Sequence, residues 1–169
     1  MSSYGRSKLA GEIFLKEIWH KHIILRVSWL FGAYGNNFVK NIICLAKERV
    51  ELNIVSDQKG APTYAGDVAR TLLKIIECVH NGQNDWGSYH YTGMPTTNWY
   101  EFACNVVNNV KFLHKLTLKK ILPILSLDYS SIAARPYNSE LNCGKIAQIF
   151  HIKQNIWSEG LKEVVNILS

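Results

Sequence analysis

Residues 22–31, with the sequence HIILRVSWLF, constrain the fold more than any other part of the chain. The stretch is nearly continuously apolar and rich in branched side chains, and only Arg26 and Ser28 interrupt its apolar runs. Strands with this composition are typical of parallel sheets, in which helices cover both faces of the sheet. The stretch therefore predicts a strand over 22–31 that is buried on both faces in an α/β protein.

Segments with helical and strand periodicity alternate along the rest of the chain, which is the pattern of an α/β protein. Ser2 or Ser3 is placed to cap the first helix, and Asn98 is placed to cap a later one. Residues 116–125 fit a strand and a helix equally well. The periodicities predict helices over 3–19, 37–49, 67–80, 98–109, 142–150 and 158–168, and strands over 22–31, 51–56 and 88–92.

The helix predicted over 67–80 has a strong amphipathic pattern. Asp67 stands at its start and is expected to act as its N-terminal cap. Its apolar stripe is expected to face the core, and the stripe consists of Val68, Leu72, Leu73 and Ile76.

Length and composition exclude several classes of protein. The chain has 169 residues, of which 47% are hydrophobic, so the length indicates one domain that can bury a sizeable core. No apolar run approaches the roughly 20 residues that span a bilayer, and no signal peptide is evident. We therefore expect a cytoplasmic protein that does not associate with membranes.

The net charge of +6 is spread along the chain, with a local lysine cluster at 111–120. A moderate positive charge suits an anionic small substrate, and it suits a solvated basic surface equally well. Because no arginine-rich stripe with stacking aromatic residues is present, we do not expect nucleic acid as a partner.

The cysteines and histidines give no sign of a metal site. No two cysteines have the C-x-x-C spacing, and the histidines show no ligand spacing, so we predict no metal ligands. Buried free thiols in a reducing compartment are favoured over disulfides for Cys44, Cys78, Cys104 and Cys143.

Tyr4 and Lys8 form a candidate catalytic pair near the start of the chain. Residues four apart on a helix point in the same direction, so both side chains would project together. A lysine ammonium beside a phenol favours the phenolate, which makes the phenol a better proton donor near neutral pH. The Tyr-x-x-x-Lys pattern therefore suits carbonyl reduction, although the pattern alone has low specificity.

A longer series of motifs makes this pattern specific. YGRSKLAGE resembles the catalytic helix of extended short-chain dehydrogenases. ILRVSWLFGAYGNNFVK, DQKGAPTYAGDVA, GSYHYTG, TNWYEFA, ARPYNSEL and WSEGLKEVV follow in the order and spacing of the dTDP-4-dehydrorhamnose reductase family. Because several motifs stand in register over nearly the whole chain, the chain resembles this family from end to end.

The resemblance implies an activity and its cofactor. The family reduces the C4 keto group of dTDP-6-deoxy-L-lyxo-4-hexulose to dTDP-L-rhamnose, a precursor of cell-surface polysaccharides such as O-antigen, with NADPH or NADH as reductant. By resemblance, Tyr4 is the catalytic acid. Lys8 is its catalytic partner, and both residues contact the cofactor at the nicotinamide ribose.

The resemblance also implies a set of substrate-binding residues. Trp29 matches a tryptophan that lies against the substrate sugar, although a buried core position is an alternative reading. Asn37 and Phe38 fall in a segment that lines the nucleotide-diphosphate side, and so do Arg135 and Asn138. Arg135 suits a phosphate partner, and a surface position or a structural ion pair is its alternative. For Asn37 the alternative is an N-terminal cap.

The expected fold is the C-terminal part of a Rossmann-like doubly wound sheet, joined to a small α/β substrate-binding domain. Residues 1–30 and 64–95 would be a remnant of the NAD(P)-binding domain. Residues 31–63 and 96–169 would form the substrate-binding domain. The family's glycine-rich pyrophosphate turn and the Ser or Thr of its catalytic triad are absent from this sequence, so we expect a chain that lacks the N-terminal half.

Three interpretations of such a chain remain open. It is inactive and only marginally stable alone, or it assembles with a separately made N-terminal half, or it serves as a non-catalytic regulatory subunit of the reductase fold. A homodimer is also compatible with the family, as is a magnesium ion, for which the sequence offers no ligands.

Overall fold

The computed structural model describes residues 3–113, 115–129 and 135–168. Helices and strands alternate through most of these residues. The helices are α1 (Ser3–Ile18), α2 (Phe38–Glu48), α3 (Ala65–His80), α4 (Trp99–Val110), α5 (Gly144–Phe150) and α6 (Trp157–Leu168). The strands are β1 (Ile23–Arg26), β2 (Leu30–Phe31), β3 (Glu51–Val55), β4 (Lys59–Gly60), β5 (Thr63–Tyr64), β6 (Gly87–His90), β7 (Thr97–Asn98) and β8 (Lys120–Ile124).

The strands form four two-stranded ladders, three of which are parallel. Strand β1 pairs with β6, β2 with β5, and β3 with β8, whereas β4 and β7 pair antiparallel. Each parallel ladder joins strands that are separated by at least one helix, as parallel pairing requires. This arrangement confirms the α/β fold class, and it assigns residues 120–124 of the ambiguous segment to a strand.

The apolar side chains bury in two clusters. The first lies between α2, α4 and α6, and its largest members are Phe31, Ile42, Phe102, Trp157 and Leu161. The second lies between α3, β6 and α5, and its members are Ile75, Tyr89, Tyr91, Cys143, Ile146 and Phe150. The domain division remains a prediction. In the second cluster, residues 143–150 pack with residues 75–91, which the prediction assigns to the other domain.

The single strand predicted over 22–31 is wrong. Strand β1 ends at Arg26, β2 begins at Leu30, and the two belong to different ladders. The break lies at Trp29, whose φ of 48° is left-handed and cannot continue a strand. Residues 23–25 are half-buried and Arg26 is exposed, so the predicted burial on both faces is also wrong.

The core stripe predicted for helix α3 is wrong for three of its four members, since only Val68 is half-buried and packs against the second cluster. Leu72, Leu73 and Ile76 are exposed, the last two at 61% each. The buried residues of α3 are instead Asp67, Thr71 and Ile75. Asp67 and Thr71 in this buried row are polar, so a prediction from hydrophobicity alone selects the wrong face of the helix.

Asp67 is also not the N-terminal cap of α3. The helix begins at Ala65 after Tyr64, which makes no capping side-chain hydrogen bond. The carboxylate of Asp67 lies in the first turn, where it accepts hydrogen bonds from Arg70 Nη2 at 2.8 Å and Asn155 Nδ2 at 2.6 Å. These partners satisfy the charge, so the residue can be buried.

The four cysteines are free thiols, as predicted, but only Cys143 is buried. Cys44 is exposed on α2, and the other two are half-buried. The expectation of buried thiols is therefore wrong for three of the four.

Helix α1 buries no side chain. It is joined to β1 by the Glu12–Arg26 ion pair, in which Arg26 Nε donates to Glu12 Oε1 at 2.8 Å. Phe14 and Ile18 are 66% and 67% exposed on this helix. The helix therefore presents a large apolar surface.

Candidate functional site

Trp29 is the centre of the candidate site. It follows β1 and adopts a left-handed backbone conformation, which is rare for a bulky residue and is often found at functional positions. Its carbonyl oxygen accepts a hydrogen bond from Thr63 N at 3.1 Å. Its indole Nε1–H donates to Ser139 Oγ at 2.9 Å. The backbone of Trp29 is therefore held by the segment at Thr63, and its indole is held by the segment at Ser139.

A second tryptophan stacks on the first. The ring centroids of Trp29 and Trp99 are 3.6 Å apart, and their planes differ by 12°. Trp99 is the first residue of α4, and the side chain of Asn98 caps that helix by accepting from Glu101 N. The cap fixes where α4 begins, and it thereby places the second indole.

Phe38 extends this aromatic row. Its ring lies 4.6 Å from that of Trp99, centroid to centroid. Asn37 precedes it and caps α2, since its Oδ1 accepts from Lys40 N while its Nδ2 donates to Gly32 O at 2.8 Å. Both polar groups of Asn37 are therefore occupied by the backbone, as the capping alternative predicts.

Two adjoining cavities open beside the aromatic row. The tryptophan cavity has a volume of about 270 Å³ and is lined by Trp29, Gln58, Trp99, Arg135, Pro136 and Ser139. The strand cavity has a volume of about 700 Å³ and lies along β3, with Phe38, Arg49, Asp128, Tyr129 and Tyr137 also in its lining. Gln58, Trp99 and Arg135 line both cavities, so a single elongated ligand can reach from one to the other.

Arg135 stands where the cavities meet. It is exposed, and it forms no ion pair with any carboxylate of the described residues. A guanidinium can bind a phosphate group through two parallel hydrogen bonds. The geometry therefore places a positive charge next to stacked aromatic rings.

Tyr4 and Lys8 lie together but line neither cavity. Lys8 Nζ is 5.7 Å from the centre of the Tyr4 ring, so the pair shares one face of α1 as the spacing predicts. The Tyr4 side chain is 73% exposed.

Asn138 also lies outside both cavity linings. Its Oδ1 accepts from Glu140 N at 2.8 Å, and its backbone bridges to Lys59. This local turn shapes the segment that carries Tyr137 and Ser139 into the two cavities.

The structure adds residues that sequence analysis did not assign to the site, namely Trp99, Gln58, Ser139 and the lining of the strand cavity. Trp99 directly follows Asn98, whose capping role was predicted, so the sequence did indicate a tryptophan at the start of a helix. Ser139 lies within the ARPYNSEL motif, but no local pattern indicates its contact with Trp29, which is 110 residues away.

Within the described ranges, no group of three or more His, Cys, Asp or Glu side chains could hold a metal ion. The helices of the same ranges include none with the length and apolar character that crossing a membrane requires.

The sequence matches the family described as the RmlD substrate binding domain along residues 1–169. The chain belongs to this family. A dTDP-4-dehydrorhamnose reductase from Aggregatibacter actinomycetemcomitans is 44% identical to this RmlD substrate binding domain over 165 residues, which are 95% of the chain and 55% of that relative. The chain thus spans about half the length of such relatives.

Two solved structures have the same fold as this RmlD substrate binding domain. A dTDP-4-dehydrorhamnose reductase from Bacillus anthracis, in complex with NADP, superposes with a TM-score of 0.85 at 35% identity. One from Clostridium acetobutylicum superposes with a TM-score of 0.87 at 34% identity. Each similarity covers 98% of the chain and 55% of the other protein.

Proposed function

We propose that this chain is the substrate-binding portion of a dTDP-4-dehydrorhamnose reductase, which reduces the C4 keto group of dTDP-6-deoxy-L-lyxo-4-hexulose with NADPH or NADH. One observation carries the proposal. Arg135, which pairs with no carboxylate of the described residues, stands beside two stacked indoles, at the junction of two cavities. Sugars bind to aromatic faces and diphosphates to guanidinium groups, so the site suits a nucleotide sugar.

The roles follow the chemistry of each side chain. Arg135 binds the diphosphate, and the indole of Trp29 lies against the sugar ring. Phe38 contributes to the nucleotide side, where it lines the strand cavity. Asn37 and Asn138 act indirectly, because both polar atoms of Asn37 and the Oδ1 of Asn138 are engaged in local turns that place Phe38 and Ser139.

Tyr4 and Lys8 supply the proton chemistry in this proposal. The phenol of Tyr4 donates its proton to the oxygen of the C4 carbonyl as that oxygen gains negative charge. The ammonium of Lys8 stabilises the phenolate that remains and reaches a ribose hydroxyl of the cofactor. The exposed face of α1 leaves both groups accessible to a substrate.

The residues present fit one end of a nicotinamide dinucleotide. Tyr4 and Lys8 offer a hydroxyl and an ammonium to the nicotinamide ribose, and the bound cofactor supplies the hydride. The sequence contains no glycine-rich turn between a strand and a helix that would receive the pyrophosphate. We therefore propose that a polypeptide segment outside these 169 residues supplies this part, such as a separately made N-terminal half.

The surface of α1 and β1 suits such a segment. Strand β1 is paired only with β6 among the described residues, and α1 exposes several apolar side chains. An added parallel strand could pair with the free edge of β1, and the apolar side chains of α1 offer a further surface against which such a segment could pack.

Calorimetric titration of the folded chain with dTDP tests the nucleotide-sugar site. The wild-type chain is expected to bind dTDP. Arg135→Gln is expected to weaken binding about tenfold or more, because hydrogen bonds to charged groups contribute about 1.5–3 kcal/mol. Lys153→Gln makes the same charge change at an exposed position outside both cavity linings and is the matched control. Equal affinities for all three proteins would contradict the site.

Turnover tests the catalytic pair. The chain alone, with NADPH and the keto-sugar, is expected to be inactive. Co-expression with the nucleotide-binding portion of a relative is expected to restore turnover, and Tyr4→Phe is expected to reduce kcat about 10²- to 10⁴-fold. Tyr34→Phe removes a similarly exposed hydroxyl outside both cavity linings and is the control. Turnover by the chain alone would overturn the inactivity claim, and dTDP binding without any restored turnover would favour a non-catalytic subunit.

A further inference from the structure

Ser139 makes three hydrogen bonds that link the Trp29 indole to the backbone. Its Oγ accepts from Trp29 Nε1–H at 2.9 Å and donates to Lys59 O at 3.0 Å. Its own backbone N–H also donates to Lys59 O at 2.9 Å. The hydroxyl therefore has one orientation in which it is both a donor and an acceptor, and that orientation fixes the indole edge.

The backbone at Gly60 contacts both the Trp29 ring and the Ser139 hydroxyl. A Cβ at Gly60 would lie 2.5 Å from the Trp29 ring and 2.6 Å from Ser139 Oγ. These distances are far below van der Waals contact, so the indole and the hydroxyl rest directly on the backbone at this position. Any larger residue would have to displace one or the other.

The Trp29 ring is thus constrained on three sides. Trp99 stacks on one face, the backbone at Gly60 limits its approach, and Ser139 restrains rotation within the ring plane. Stacking alone permits an indole to slide and rotate, because an offset changes the energy of an aromatic pair only slightly. The directional hydrogen bond is what selects one position.

We propose that Ser139 is a positioning residue, which holds the Trp29 indole in a preformed position against Trp99 before the nucleotide sugar binds. The inference rests on the proposed function for the role of the indole toward the sugar. Preorganisation of this kind raises affinity because the side chain loses less conformational freedom when the ligand arrives. The benefit belongs to the sugar subsite and not to the nucleotide.

Circular dichroism reports on the indole position without any ligand. Two stacked indoles couple their electronic transitions and give a far-ultraviolet couplet. Trp29 and Trp99 form the only Trp–Trp ring contact in the part of the chain that the structure describes, and this part includes all five tryptophans. Ser139→Ala is expected to reduce the couplet amplitude, and Ser139→Thr, which keeps the hydroxyl, is expected to retain it.

Ser56→Ala is the matched control. Ser56 is also half-buried and its hydroxyl also donates to a backbone carbonyl, that of Ile124 at 3.2 Å, but it does not contact an indole. The couplet of this variant is expected to equal that of the wild-type chain. An undiminished couplet in folded Ser139→Ala would overturn the proposal.

Ligand binding gives a second readout, in which the sugar subsite is separated from the nucleotide. Ser139→Ala is expected to bind dTDP-L-rhamnose about fivefold more weakly, the equivalent of one neutral hydrogen bond, and dTDP with unchanged affinity. An equal loss for both ligands would overturn the positioning role. Failure of the wild-type chain to bind dTDP would instead overturn the proposed function, and the couplet would still decide the role of Ser139 toward the indole.

Trp29→Phe provides a second variant that removes the N–H donor. If Ser139 acts through the indole, Ser139→Ala is expected to lower the melting temperature less in the Trp29→Phe background than in the wild-type chain. Additive losses would show that Ser139 acts on stability through other contacts, and they would overturn the proposal.

Discussion

Asp67 is the only carboxylate that is buried among the described residues, with 4% of its side chain exposed. Its Oδ1 accepts hydrogen bonds from Arg70 and from Asn155, whose backbone oxygen accepts in turn from Met94 N at 2.9 Å. One carboxylate thus joins α3 to the segment before α6. Its position in the first turn of α3 also suits the positive end of the helix dipole.

Asp67→Asn is expected to lower the free energy of unfolding by about 1–3 kcal/mol, because the charged oxygen that accepts both hydrogen bonds is replaced by a neutral amide, which accepts them more weakly. Urea denaturation followed by circular dichroism measures the change. Asp85→Asn, at an exposed position, is the control. Equal unfolding midpoints for the Asp67 variant and the wild-type chain would show that the pairing contributes nothing.

The residues of the site were predictable to different degrees. The motif around Trp29 and the positive charge of Arg135 were readable from the sequence. The left-handed backbone at Trp29 was not, since no local propensity places a bulky residue there. Its fixation by Ser139 depends on a contact across 110 residues, which local patterns do not encode.

At the scale of elements, helix α1 depends on the Glu12–Arg26 pair for its attachment to β1. The hydrogen bond from Arg26 holds the pKa of Glu12 below its ordinary value of 4.5. Because the folded-state pKa is the lower one, the stabilisation is fully present above the unfolded pKa and is lost as pH falls through the folded pKa.

Glu12→Gln is expected to lower the free energy of unfolding at pH 7 by about 1 kcal/mol or less, since solvent reaches Arg26 and screens the pair. The difference from the wild-type chain is expected to shrink as the pH falls below about 4.5. Thermal melts from pH 7 to pH 3 measure it. A difference that stays constant to pH 3 would show that Glu12 stabilises α1 without its charge.

Hydrogen exchange is expected to separate α1 from α4. Helix α1 buries no side chain, whereas α4 buries Phe102, Ala103, Val106 and Val110. Local opening of a helix costs free energy in proportion to the contacts it breaks, so the amides of α1 are expected to exchange much faster. Mass spectrometry of peptides from the native chain measures this difference, and equal protection would contradict the described packing.

Periodicity predicted the existence of most elements because α2, α4, α5 and α6 pack one apolar face against a core. It failed where burial did not follow hydrophobicity. Helix α3 buries Asp67 and Thr71 and exposes Leu73, and the break between β1 and β2 follows from a single backbone angle. Both failures come from tertiary contacts that override the local pattern.

At the scale of the whole molecule, the exposed apolar surface of α1 is expected to cause self-association of the isolated chain. Phe14→Lys together with Ile18→Lys removes two side chains that are about two-thirds exposed and is expected to favour the monomer. Leu127→Lys, at a position that is also exposed, is the control. Size-exclusion chromatography with light scattering measures the mass, and a wild-type monomer at all concentrations would contradict the expectation.

The parallel ladders also set the order in which the chain can fold. The β1–β6 ladder cannot form until Ile23 meets Gly87, and the β3–β8 ladder cannot form until Glu51 meets Lys120. Both pairs are far apart in the sequence. Closing such long loops is slow, and topologies dominated by distant contacts fold in milliseconds to seconds. During synthesis, α1 and β1 leave the ribosome well before the partner strand β6 exists. Until β6 has been made, the edge of β1 that pairs with it is free, and an unpaired strand edge favours association with other chains.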